Sequence, residues 1–278
     1  MGKPEAEELL PGDLCELIKE LASEDTVGIA LLGSHARGEA GRYSDIDLVR
    51  FVTKLAEKEQ QRLILKYRGE KLVSVSTTTT VAAKRRELTD PAKAIWVVPG
   101  LRQAKVLFDR DGSLAALIKE VLVFSWEPLQ QAADEYASYE LMRLVEEVHK
   151  ILGAMVKGDE SAAMYAILGM ALGLTEVVAV QRGLLIVSEN SYFQQVEESM
   201  GLDSIWTRYH RLALGFELGP LDRSPIEVKA LASLRLYEET AGLLWPIVRP
   251  AHREVVEKGL AAIQADEQIA QSQLLGQP

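Results

Sequence analysis

The sequence predicts an α+β chain, with a mixed sheet and flanking helices over residues 1–125 and an all-α helical bundle over 126–278. Three observations carry this. Short β-branched or apolar runs alternate with helical patterns in the first part of the chain. From Glu127 onward every long segment has helical periodicity. The separators there, Lys157-Gly158-Asp159, Gly201-Leu202-Asp203 and Leu218-Gly219-Pro220, are short and turn-like, which implies antiparallel neighbours.

Taken in order, Leu14, Leu17, Ile18 and Leu21 fall on one face of an amphipathic helix spanning Asp13–Ser23. Val27, Ile29 and Leu31 make a buried strand that ends at Gly33. A small-residue turn and a polar loop follow, then a second strand running from Asp45 to about Val52. Lys54–Gln61 reads as a helix or a connection, and Leu63-Ile64-Leu65 is too short to assign by periodicity. Lys71–Val81 is a strand by its β-branched content. Thr89-Asp90-Pro91 starts a short helix that should stop at Pro99-Gly100; a strand at Gln103–Phe108 and a helix at Ser113–Val123 complete this part.

The bundle segments are Leu129–Val156, Ser161–Ile186, Ser191–Met200, Ile205–Phe216, Ile226–Val248 and Arg253–Gln273. Ala162–Val180 reads as a central bundle helix, and Trp126, Trp206 and Trp245 as core fillers. His149, His210 and His252 lie on separate helices, so no zinc site is expected from them.

Bulk properties restrict the function. Apolar residues make up 47% and charged residues 26% of the 278 positions, an ordinary globular balance. The net charge of −10 argues against a nucleic-acid-coating surface, so nucleic acid is not expected as a partner. Cys15 is the only cysteine, which excludes an intrachain disulfide and, with no signal peptide evident, suggests a cytoplasmic setting. No membrane partner is expected, because Glu176 interrupts the most apolar segment.

The chemistry concentrates between Thr26 and Phe51. The strand period of two puts Asp45 and Asp47 on one face and Ile46 and Leu48 on the other. Two like charges on one strand face call for a cation, and a divalent metal is the usual one. Gly33-Ser34, ten intervening residues and Asp45-x-Asp47, with Arg37-Gly38 and Ser44 between, resemble the signature of the nucleotidyltransferase superfamily. That family has a Gly-Ser turn after the first strand, an Arg-Gly step and a Ser-Asp-x-Asp-Leu strand.

The resemblance implies a fold and a set of roles. Asp45 and Asp47 would ligate Mg²⁺ and act as the catalytic pair; Gly33, Ser34 and Ser44 would cradle the phosphates of ATP or another nucleoside triphosphate; Arg37 or Arg42 would neutralise developing charge. His35 is expected to be an exposed loop residue. Active members usually carry a third carboxylate on the next strand, where this chain has Ser74 and Ser76. The order of domains resembles the aminoglycoside and lincosamide nucleotidyltransferases, in some of which a glutamate of the helical part is the general base. Glu140 is the counterpart here by spacing, and Glu146, Glu147 and His149 share its segment. Three readings follow: transfer of a nucleoside monophosphate to a small hydroxylated acceptor, nucleotide or partner binding without catalysis, and modification of a protein or RNA. A homodimer whose bundle completes the neighbouring site would match some relatives.

Overall fold

A computed structural model describes residues 11–54, 63–216 and 224–265. It divides into two compact units, Met1–Trp126 and Glu127–Pro278. The first holds a five-stranded mixed sheet with helices, and the second is helical, as the α+β reading requires.

The first unit runs α1 (Pro11–Leu21), β1 (Thr26–Leu32), α2 (Gly33–Arg37), β2 (Ile46–Val52), β3 (Ile64–Arg68), β4 (Lys71–Thr79), α3 (Val81–Glu87), α4 (Pro91–Arg102), β5 (Lys105–Asp109) and α5 (Ser113–Leu122). The strand order is β3-β4-β2-β1-β5. Only β2 and β4 pair in parallel; the other three ladders are antiparallel. The ambiguous run at Leu63 thus leads into an edge strand. The expectation for Lys54–Gln61 falls almost wholly outside the described residues.

Alternation along these strands sorts the two faces of the sheet. Ile29, Leu31, Ile46, Leu48, Val73 and Val75 pack with Leu17 and Leu21 of α1 in one buried cluster. Burying a side chain of this size contributes about 1.5–3 kcal/mol, so α1 holds this face by its apolar stripe. Helix α5 lies against the opposite face of β1, where a Cβ on Gly28 would sit 2.9 Å from a Leu114 methyl carbon.

Two sequence expectations in this unit need correction. Helix α4 does not stop at Pro99-Gly100 but continues to Arg102. Proline costs its helix one backbone bond, and that loss is tolerated near the end; Arg102 is then anchored to the Val121 and Phe124 carbonyl oxygens at 3.1 and 3.0 Å. Helix α3 was not anticipated; the Thr80 hydroxyl starts it by accepting from the Ala83 N–H.

The second unit contains α6 (Gln130–Arg143), α7 (Val145–Lys157), α8 (Glu160–Gln181), α9 (Tyr192–Met200), α10 (Ile205–Leu214), α11 (Pro225–Leu244) and α12 (Pro250–Ala265). Helix α8 packs on α6, α7, α10 and α11, which makes it the centre of this unit. The single helix expected over Leu129–Val156 is broken at Leu144, with no proline or glycine at the break. There the Leu144 side chain fills the space left by Gly173 of α8, where a Cβ would lie 2.8 Å from a leucine methyl. A tertiary contact of this kind leaves no local signal. Trp206 is buried and donates to the Thr240 hydroxyl at 2.8 Å, whereas Trp126 and Trp245 are half-buried. The part of the last expected helix beyond residue 265 lies outside the described residues.

Candidate active site

The Gly33-Ser34 turn is the start of α2, a short helix that follows β1 without a linker. Gly33 has φ +65, in the left-handed region that side-chain-bearing residues avoid. Its missing side chain has a second purpose. A Cβ there would lie 2.5 Å from Oδ2 of Asp47, so the carboxylate occupies that space. At the end of α2, Gly38 is also left-handed and donates its N–H to the Ser34 carbonyl.

Strand β2 begins one residue after Asp45. Asp47 stands opposite Leu32 of β1 and opposite Ser74 of β4. Both aspartates are half-buried, while Ile46 and Leu48 on the other face are fully buried. The sheet thereby sets Gly33 on one flank of the aspartate strand and Ser74 on the other. Ser74 is 6% exposed, and the side chain of Ser76 lies outside those described. Among the described residues no third histidine, cysteine or carboxylate joins the pair as a metal-binding group.

The remaining sequence candidates have local partners. Ser44 accepts from the Gly41 N–H at 2.9 Å, and its own N–H donates to the Gly41 carbonyl, closing the loop before Asp45. The Arg37 guanidinium is mostly covered and donates to Glu39 at 2.6 Å and to Gln103 at 3.1 Å. The Gln103 partner was not legible in the sequence, since it lies 66 positions away and no pattern links the two. Arg42 is exposed, with its guanidinium 5.5 Å from the Tyr43 ring centre. His35 corrects the sequence reading, because α2 turns it inward and it is buried.

Glu140 lies on α6 in the second unit, where its carboxylate pairs with Arg143 at 2.7 Å. Glu147, on α7, is buried and accepts from Lys150 at 2.7 Å, whereas Glu146 and His149 are exposed. In the same unit the Tyr136 hydroxyl donates to Glu176 at 2.8 Å. Burial, followed by that hydrogen bond, raises the Tyr136 pKa well above the usual phenol range.

A magnesium ion suits this arrangement. The donor set is all oxygen, two carboxylates with hydroxyls nearby, and Mg²⁺ takes one or two carboxylates and leaves its other positions to water and phosphate. The space kept open at Gly33 brings the Asp47 carboxylate against the backbone that would face those phosphates.

One comparison with known proteins bears on this segment. Residues 14–89 match the family model of the nucleotidyltransferase domain. No curated protein matches the chain. A solved structure, the nucleotidyltransferase-like protein from Exiguobacterium sibiricum 255-15, is similar at 14% identity and a TM-score of 0.49, over 86% of this chain and 78% of that one.

Proposed function

From the premise that residues 14–89 form a nucleotidyltransferase domain, we propose that the protein transfers a nucleoside monophosphate from a magnesium-bound nucleoside triphosphate, ATP or another, to a hydroxyl of a small molecule. The observation that carries this is the close approach of Asp47 to Gly33, which sets a carboxylate beside the backbone of the turn.

Asp45 and Asp47 would hold Mg²⁺, whose chemistry is to neutralise phosphate oxygens and align the α-phosphorus for attack. Gly33 keeps Asp47 close to the backbone, and the first N–H groups of α2 have no partner within their helix. Ser34, half-buried at that turn, supplies a hydroxyl donor. Ser44 shapes the approach to Asp45 and keeps its own proton to donate. Arg37, held by Glu39 and Gln103, acts as a fixed positive charge beside the turn. In the reaction the acceptor oxygen bonds to the α-phosphorus, the bond from that phosphorus to the bridging oxygen breaks, and pyrophosphate leaves. The hydroxyl proton goes to a base, for which Glu140 is the proposed residue.

Isothermal titration with Mg²⁺ and a non-hydrolysable ATP analogue tests the site. Binding should need the metal and vanish in the double variant Asp45→Ala/Asp47→Ala. Retained binding in that variant would falsify the assignment. A second reading, nucleotide binding without transfer, is favoured by Ser74 standing beside Asp47. Pyrophosphate release with a panel of hydroxylated acceptors separates the two readings. Glu140→Gln should stop release and leave nucleotide affinity unchanged.

A further inference from the structure

Across the sheet at the level of Asp47 the register runs Leu32, Asp47, Ser74, Leu65. Residues directly opposite one another in neighbouring strands point to the same face. Leu65 of β3 therefore lies on the face that carries the aspartates, with Tyr67 beside it opposite Leu72. The alternate residues Lys66 and Arg68 point the other way and form ion pairs with Glu20 and Glu16 of α1. That helix covers one face of the edge strand and leaves the other to solvent. Leu65 is 55% exposed and Tyr67 73% exposed. Leu65, Tyr67, Leu72 and Ser74 carry no charge, and together they form an apolar shelf that begins next to Asp47. Two strand spacings separate Leu65 from Asp47, about 10 Å.

Displacement at phosphorus is in line, so the attacking oxygen enters opposite the leaving group. With pyrophosphate on the Gly33 flank of the aspartate strand, the acceptor must enter from the other flank, over β4 and β3. We infer that the acceptor hydroxyl is flanked by an apolar or aromatic body that lies on Leu65, Leu72 and Tyr67. This rests on the nucleotidyltransferase reading above and narrows it. A small phenol has the required chemistry, and a polycationic sugar does not. Tyr43, on the loop before Asp45, is 92% exposed. Lys71 Nζ lies 3.5 Å from the Arg42 carbonyl and ties that loop to the start of β4.

The test uses the full chain with Mg²⁺ and the non-hydrolysable ATP analogue bound, titrated with 7-hydroxycoumarin followed by fluorescence and with a tyrosine-containing pentapeptide. The coumarin should bind saturably, and saturable binding of the peptide alone would overturn the inference. The double variant Leu65→Ser/Tyr67→Ser changes two solvent-exposed residues and should keep its melting temperature and its nucleotide affinity. It should lose at least ten-fold in probe affinity. Saturable binding of neither probe, undiminished binding to the variant, or tighter binding of a polycationic aminoglycoside would each overturn the inference. Failure of the nucleotide itself to bind would instead remove the nucleotidyltransferase reading, and this inference with it.

Discussion

Oδ2 of Asp47 lies where a side chain on Gly33 would have to go, 2.5 Å from the position of its Cβ. Gly33→Ala therefore strains a left-handed residue, at about 1–2 kcal/mol, and pushes the carboxylate off its position. The expected result is a fall in melting temperature of a few degrees, by roughly the conversion for a domain of this size, and at least a ten-fold loss of Mg·nucleotide affinity. Calorimetric titration and a thermal melt measure the two effects. An unchanged affinity would show that the glycine serves the backbone alone.

Ser74 stands opposite Asp47 on the neighbouring parallel strand and is nearly inaccessible. Ser74→Asp places a third carboxylate there, against a like charge and out of water. Without divalent metal the variant should be less stable, by about 1–3 kcal/mol as for other poorly compensated buried polar groups. Added Mg²⁺ or Mn²⁺ should raise its melting temperature by more than it raises that of the wild type. Equal shifts in the two proteins would mean that position 74 does not face the metal site.

His210 gives the helical unit a pH dependence. Its Nδ1 lies 2.9 Å from Glu197 Oε1, its Nε2 lies 2.9 Å from the Thr175 hydroxyl, and Trp206 stacks on the ring. Burial, the largest influence, lowers its pKa, while the hydrogen bond and charge of Glu197 oppose the shift and Arg211 adds to it. In the unfolded chain the ring takes its proton near pH 6.5, roughly the ordinary histidine value. The folded state refuses that proton until a lower pH, so stability should be flat above neutrality and fall as the pH drops below about 6.5. Urea melts at pH 7.5 and 5.5 should show the drop, and His210→Gln should reduce it. A variant that loses as much stability on acidification as the wild type would assign the effect to other groups.

The sequence disclosed those parts of the fold whose cause is local. Alternation in Thr26–Leu32 and Ile46–Val52, and the β-branched run at Lys71–Thr79, mark strands because each residue's environment is set by its own strand face. Gly33, Asp45 and Asp47 were legible for the same reason, their spacing being fixed by strand and turn geometry. What escaped was decided at a distance. The break at Leu144 coincides with a contact to Gly173 on another helix, the covering of Arg37 needs Gln103, and the burial of His35 depends on how α2 meets the sheet. The membership of Leu65 and Tyr67 in the aspartate face became visible only with the register of three strands.

Strand β1 has β2 on one side and β5 on the other. The aspartate strand and its glycine turn are complete by residue 52, yet the strand that seals β1 arrives only at Lys105–Asp109, with Leu114 of α5 following to cover Gly28. A fragment trimmed to the matched segment 14–89 would leave one whole side of β1 as an open row of amides and carbonyls, a template for pairing with other chains. The smallest piece that pairs β1 on both sides and covers Gly28 extends through α5, so the recognisable segment is shorter than the folding unit that carries it.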